Sequence, residues 1–216
     1  MTPRPPTSER LDRAEVLSIA LAIADADGLE AVTLRRIATS FGVTPMALYW
    51  HFKDKDALLD ALVERALDEI DLSDSDEADL RTVITAILRV LRNHPALADI
   101  MPIRIMRTDA GIDLAEQLVG LLRTDGHSPV AAAQLSIFLL NGLIGLVTRQ
   151  PGEPGVADPS MRETLLSAKR ARLKSLSPQA YPHLTETADF FLELPDEKEY
   201  YKQGLTLLLN AARPAP

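Results

Sequence analysis

Residues 33–55, TLRRIATSFGVTPMALYWHFKDK, leave this chain little choice of local structure. Ile37, Ala38 and Phe41 recur at helical spacing, and Gly42 follows where a helix closes in the left-handed conformation that glycine adopts without strain. Thr44 and Pro45 then open a second helix. The threonine hydroxyl is placed to accept a hydrogen bond from an orphan amide, and proline at the first helical position lacks only an N–H that has no partner there. Ala38, Gly42 and Leu48 thus supply a small residue where two helices cross, a glycine in the turn and an aliphatic knob under the second helix, which is the spacing of a helix-turn-helix.

With Leu48 turned inward, Thr44, Pro45, Ala47, Tyr49, Trp50 and His51 are left for the outward surface and its rim. A DNA major groove admits one helix, whose N-terminal residues reach the base edges. Aromatics at helical spacing are by themselves the mark of a core. Their company here, Arg35, Arg36, His51, Lys53 and Lys55, is what makes a DNA-reading surface of them.

The run LYWHFKDKDALLDAL, preceded by LRRIATSFGV, resembles the amino-terminal domain of the TetR family of transcriptional regulators, without a gap over residues 17–62, and is closest in pattern to its tetracycline-binding branch. The resemblance implies a DNA contact surface running from Thr33 to Lys55. Tyr49, Trp50 and His51 lie on its recognition helix, Arg35 reaches a base from the preceding helix, Lys53 lies beside them and Lys55 meets phosphate. It implies further that Arg10 or Arg13 lies near the DNA backbone, with a solvated arginine at a helix start as the equal alternative. Thr44, Pro45 and Met46 stand where that branch has acidic and amide side chains, so family membership carries over and the operator sequence does not.

The formal charge of −8 is unusual for a protein that meets a polyanion, and its distribution accounts for this. Up to Lys55 the chain carries Arg4, Arg10, Arg13, Arg35, Arg36, Lys53 and Lys55 against Glu9, Asp12, Glu15, Asp25, Asp27, Glu30 and Asp54, seven against seven. The whole excess therefore belongs to residues 56–216, and contact with DNA must be confined to one local face. The absence of cysteine removes disulfides, thiolate metal sites and cysteine nucleophiles, and fits a reducing cytoplasm. The start, MTPRPPTSER, has no apolar core and reads as a tail rather than a leader or anchor, and residues 135–147 read as too short and too polar to span a membrane.

In chain order, residues 10–26 form an amphipathic helix ended by Gly28, and Asp54 caps a helix whose inner side is Leu58, Leu59, Leu62, Val63, Ala66, Leu67 and Ile70. The acidic stretch 71–79 is a solvated break. Leu80 to Leu91 open a new stripe, and Pro95 and Pro102 bracket either a short helix or a turn. Helices follow over 110–123 and 130–148. The second of these is apolar nearly all round, so it is either the centre of a domain or part of a dimer seam. Residues 150–159 read as a loop, 161–176 as a basic surface helix and 196–212 as the last helix. No strand alternation occurs, and the expected fold is all-α. A tail at 1–9 precedes a helix-turn-helix domain at 10–55 and a helical ligand-binding and dimerisation domain at 56–212, linked by a helix over 55–70.

The resemblance implies a homodimer whose long apolar helix and last helix pair with their mates, a palindromic operator, repression as the commoner mode, and release by a small organic effector among the middle helices. Polar residues in apolar segments, His94, Arg104, Gln134 and Asn141, with Met101 and Phe138 as apolar wall, are the candidate lining. Each has a plainer alternative: His94 as a helix cap, Asn141 as a bond within the seam, Arg104 as a solvated cation. The tetracycline-binding branch holds its drug as a magnesium chelate through a histidine near the short helix. Residues 95–126 here contain no histidine before His127, and Ile100 and Ile103 stand where polar ligands would be needed. The expected effector is accordingly mostly apolar, with a polar or anionic group near Arg104, and no metal or cofactor is expected. His51, His94, His127 and His183 lie on separate segments and no glycine-rich phosphate loop occurs, so an enzyme is not expected. The competing reading is a helical protein-interaction or small-molecule-binding module whose DNA-binding head is vestigial.

Overall fold

Side-chain caps decide where most of the helices begin. The computed structural model describes residues 11–70, 79–149, 159–191 and 196–214, and every regular element among them is helical. Asp12 accepts from the amide of Ala14 at 3.0 Å and starts α1 (Arg13–Asp27), whose Val16, Leu17, Ala20, Leu21, Ile23 and Ala24 are buried. Thr33 accepts from Arg36 N at 3.1 Å and starts α2 (Leu34–Phe41), which ends on Gly42 at φ +65°. The turn leads into α3 (Pro45–Tyr49), where the expected Thr44 hydroxyl cap is not made. The amide that the hydroxyl would reach, Ala47 N, is already bonded at 3.0 Å to Thr44's own carbonyl in a tight first turn. Asp54 caps α4 (Lys55–Leu67) through Ala57 N at 2.8 Å.

The rest is a layered bundle: α5 (Leu80–Asn93), α6 (Met101–Arg104), α7 (Asp109–Thr124), α8 (Pro129–Thr148) and α11 (Glu197–Ala211). Between Pro95 and Pro102 the chain forms both alternatives, a tight turn at Pro95–Leu97 and then α6. Helix α5 packs on α8, α8 on α7 and α11, and α4 touches α1, α5, α6 and α7. One cluster of buried apolar side chains runs from Val16 on α1 through Leu62 on α4 and Leu91 on α5 to Leu143 on α8 and Tyr201 on α11. The helix-turn-helix head and the larger bundle therefore share a core along α4 and along the Pro95–Leu97 turn that rests on α1.

Helix α8 departs from expectation in its length. Its twenty residues make it about 30 Å long, and by length and composition it could cross a membrane, whereas residues 135–147 alone read as too short. The Ser128 cap, which accepts from Ala131 N at 3.2 Å, starts the helix earlier than the apolar run does. Of the two alternatives for it, full burial within the chain is not what it shows: Ala132, Leu139, Leu143 and Ile144 are buried, while Val130 and Phe138 face outward. Its crossing with α11 is close and reciprocal. A Cβ on Gly142 would stand 2.4 Å from Leu208 Cδ2, and one on Gly204 would stand 2.5 Å from Leu146 Cδ2, so each helix keys a leucine into the other's glycine notch.

Helices α9 (Pro159–Lys174) and α10 (Pro182–Glu186) pack on one another and, through α9, on the turn at Ala188–Phe191. Lys169, Arg172 and Lys174 lie on the exposed surface expected of them, with Lys174 3.5 Å from Asp189. The expected tail at 1–9, the acidic break before Asp79 and the loop at 150–158 lie outside the described residues.

Candidate functional site

Helix α3 is held by one side chain and shows the others. Leu48 has no exposed surface, and Met46 and Trp50 are each two residues from it, which sets both about 200° round the helix on the opposite face. Met46 is 68% exposed and Trp50 88%. Tyr49 flanks them and Thr44 and Pro45 are exposed beside them, while Ala47 and His51 are half-buried. His51 tilts against Phe52, which is itself buried under the guanidinium of Arg13, 5.1 Å from the ring centre. Arg13, a candidate for phosphate, thus helps to wall the head.

The cations around α3 are not equivalent. Arg36 is engaged by Asp27 at the end of α1. Arg35 and Lys53 are exposed and make no ion pair among the described residues. Lys55 lies 3.9 Å from Glu30, a solvent-exposed pair of small energetic weight that phosphate can displace. Thr33 spends its side chain on the cap of α2.

In the larger bundle, α5, α6, α7 and α8 leave a cavity of about 320 Å³. Ile87, Ile105, Met106, Leu114, Leu118, Ile137 and Leu140 supply its apolar wall, with Pro102 and Ala115, and the polar lining is Ser136 and Asn141. Of the six residues singled out from sequence as effector lining, Asn141 alone borders this cavity. Met101 is packed in the core, and Gln134 and Phe138 lie on the outward side of α8. His94 and Arg104 are drawn away from it by carboxylates. Neither Ser136 nor the apolar wall was singled out, because nothing in their spacing separates them from core residues.

Arg104 and the neighbouring Arg107 clamp the first turns of α4. Arg104 reaches Asp56 at 2.7 Å and Asp60 at 2.6 Å, and Arg107 reaches the other oxygens of the same two aspartates at 2.5 and 2.7 Å. Hydrogen bonding to Arg107, and after it to Arg104, holds the Asp56 carboxyl below the ordinary aspartate range. This pairing ties the cavity wall to the helix that begins at Lys55, since Ile105 and Met106 lie between the two arginines. His94, the residue that ends α5, makes a second tie. Its Nδ1 stands 2.8 Å from Asp25 Oδ2 on α1 and its Nε2 3.1 Å from Glu69 Oε2 just beyond α4, so the ring bridges the two carboxylates.

Comparison with known proteins follows the same division. Residues 16–62 match the family model described as bacterial regulatory proteins, tetR family, and residues 72–211 match the model described as tetracyclin repressor-like, C-terminal domain. The chain is similar to the tetracycline repressor protein class C of Escherichia coli, 50% identical over 58 residues that are 27% of this chain and 26% of that one. It is also similar to the HTH-type transcriptional repressor DrrR1 of Streptomyces coeruleorubidus, 30% identical over 145 residues, 65% of this chain and 53% of that one. The chain thus spans about half the length, or less, of these curated relatives. Among solved structures, the TetR family protein ActR of Streptomyces coelicolor in complex with actinorhodin superposes with a TM-score of 0.74 at 25% identity, over 94% of this chain and 96% of that one.

Proposed function

This chain belongs to the TetR family of bacterial regulatory proteins, and we propose that it acts there as a transcriptional repressor that grips a palindromic operator as a homodimer and lets go when a small organic molecule fills its cavity. The observation that carries this is the build of α3: a buried Leu48 beneath an exposed face of Met46, Tyr49 and Trp50, flanked by the exposed cations Arg35, Lys53 and Lys55. Thr44, Pro45, Ala47, Tyr49, Trp50 and His51 meet the major groove, Arg35 reaches a base from α2, and Thr33, Lys53 and Lys55 lie along the phosphates. Residues 10–55 read DNA in the bacterial cytoplasm, and residues 56–212 bind ligand and dimerise, with α4 between them.

One five-residue helix spans few base pairs, so specificity calls for two heads about 34–36 Å apart on successive turns of the groove. The outward side chains Val130 and Phe138 of α8, with Leu207 of α11, supply an apolar seam for the second copy. The cavity takes a molecule that is mostly apolar and uncharged, because its wall holds no charged side chain and Ser136 and Asn141 are its polar anchors. ActR, of the same fold, holds actinorhodin, which supports a small organic ligand for this fold. Filling the cavity pushes on Ile105 and Met106, and through Arg104 and Arg107 on Asp56 and Asp60, turning α4 and with it the head.

Selection of bound duplexes from a random-sequence pool by the purified protein tests the reading. The expected result is a palindrome with half-sites about one helical turn apart, and its release then serves to assay apolar compounds. If no duplex is enriched at low salt, the DNA half of the proposal falls and a ligand- or protein-binding module with a vestigial head remains.

A further inference from the structure

Helix α3, PMALY over Pro45–Tyr49, contains no charged side chain and no side-chain amide. Guanidinium, amide and carboxylate groups are what usually read bases by paired hydrogen bonds in the major groove. The outermost side chain at the N-terminal end of α3 is instead Met46, 68% exposed and directly opposite the buried Leu48. Side chains on a helix lean toward its N-terminus, and the N-terminal residues of a recognition helix come nearest the base edges. A thioether offers these edges almost no hydrogen bonding but a flexible, polarisable apolar surface. The one apolar group that a standard base pair presents in the major groove is the C5-methyl of thymine.

We propose that Met46 is a specificity-determining residue that reads thymine in each half-site by burying its 5-methyl group. The inference rests on the operator reading above and adds to it the base that the tip of α3 selects. It also accounts for a helix that carries Thr44, Pro45 and Met46 at its start without acidic or amide groups: this position discriminates by shape and apolar contact, and Arg35 on α2 is left to supply the charged hydrogen bonds.

The test uses the duplex enriched from the random pool, resynthesised with deoxyuridine in place of each thymidine of the half-site in turn. This change removes a methyl group and leaves every base-pairing group in place. At the position that Met46 reads, the full-length protein is expected to lose about fourfold in affinity per half-site, and about fifteenfold when both half-sites are changed. Met46→Ala should bind the thymidine and deoxyuridine duplexes equally, and Met46→Leu should restore the preference. Unchanged melting of both variants is expected because the side chain is exposed. Indifference of the unaltered protein to deoxyuridine at every position would overturn the proposal. So would an equal loss in Met46→Ala, which would assign the methyl contact to another residue. Failure to bind any duplex would instead remove the operator reading itself, and this inference with it.

Discussion

Helices α3 and α8 both turn large apolar side chains to solvent, and their surroundings differ completely. Beside Met46, Tyr49 and Trp50 stand the exposed Arg35, Lys53 and Lys55. Val130 and Phe138 stand instead on a helix that has no acidic or basic residue in its twenty positions. An apolar surface ringed by cations suits a polyanion with methyl groups in its groove, while an uncharged one suits another apolar helix. Exposure marks both as contact surfaces, and only the neighbouring charge separates their proposed partners.

Substitutions can break this comparison at either end. Leu48→Ala removes the anchor under α3 and is expected to cost about 2–5 kcal/mol of head stability, measured by denaturant unfolding, while the dimer persists in sedimentation. A head as stable as before would mean that α3 is not held by this side chain. Phe138→Glu strands a carboxylate in the proposed α8 seam and should weaken the dimer by about 3 kcal/mol, roughly a hundredfold. Were the variant still dimeric at the same concentration, the seam would have to lie elsewhere.

Smaller effects sharpen the DNA side. Arg35→Ala is expected to lose about 1–3 kcal/mol on the selected operator and little on random duplex. Lys55→Ala should weaken both alike and flatten the salt dependence by about one unit. Equal losses on the two duplexes for Arg35→Ala would make it another phosphate contact. The smallest effect concerns the clamp on α4. Asp56 is held below its ordinary range, so its pairing with Arg107 and Arg104 contributes fully above about pH 3.9 and is lost as pH falls through the lowered value. Melting curves taken down an acid series should therefore fall less steeply for Asp56→Asn, and parallel curves would show that the clamp adds nothing to stability.

The head was legible because its signals are local. Asp54 caps a helix from three residues away and Gly42 takes the left-handed turn that its place in the pattern requires, both as expected, while Asp12 and Thr33 cap helices just as locally without having been singled out as caps. Thr44 shows the limit even here, since a backbone carbonyl reached the amide before the hydroxyl could. His94 and Arg104 were conspicuous as polar residues in apolar segments, but the carboxylates that hold them lie far off in sequence: Asp25 is 69 residues from His94, and Asp60 is 44 from Arg104. No spacing rule connects such pairs. The cavity was illegible for the opposite reason, because Ile105, Met106, Leu114 and Ile137 are ordinary apolar residues of their stripes.

By itself the sequence determined the order of the longer helices, the glycine turn of the head and the faces that α1, α4 and α5 keep from water, because these depend on side chains a few residues apart. Tertiary structure alone decided which faces meet. It closed α8 on α11 through two glycine notches, left α8's other side open, drew two arginines onto α4 and left a cavity between α5, α6, α7 and α8. Periodicity says that a side chain avoids water, but whether it finds a neighbour, a void or a second molecule depends on elements that come together only when the chain folds.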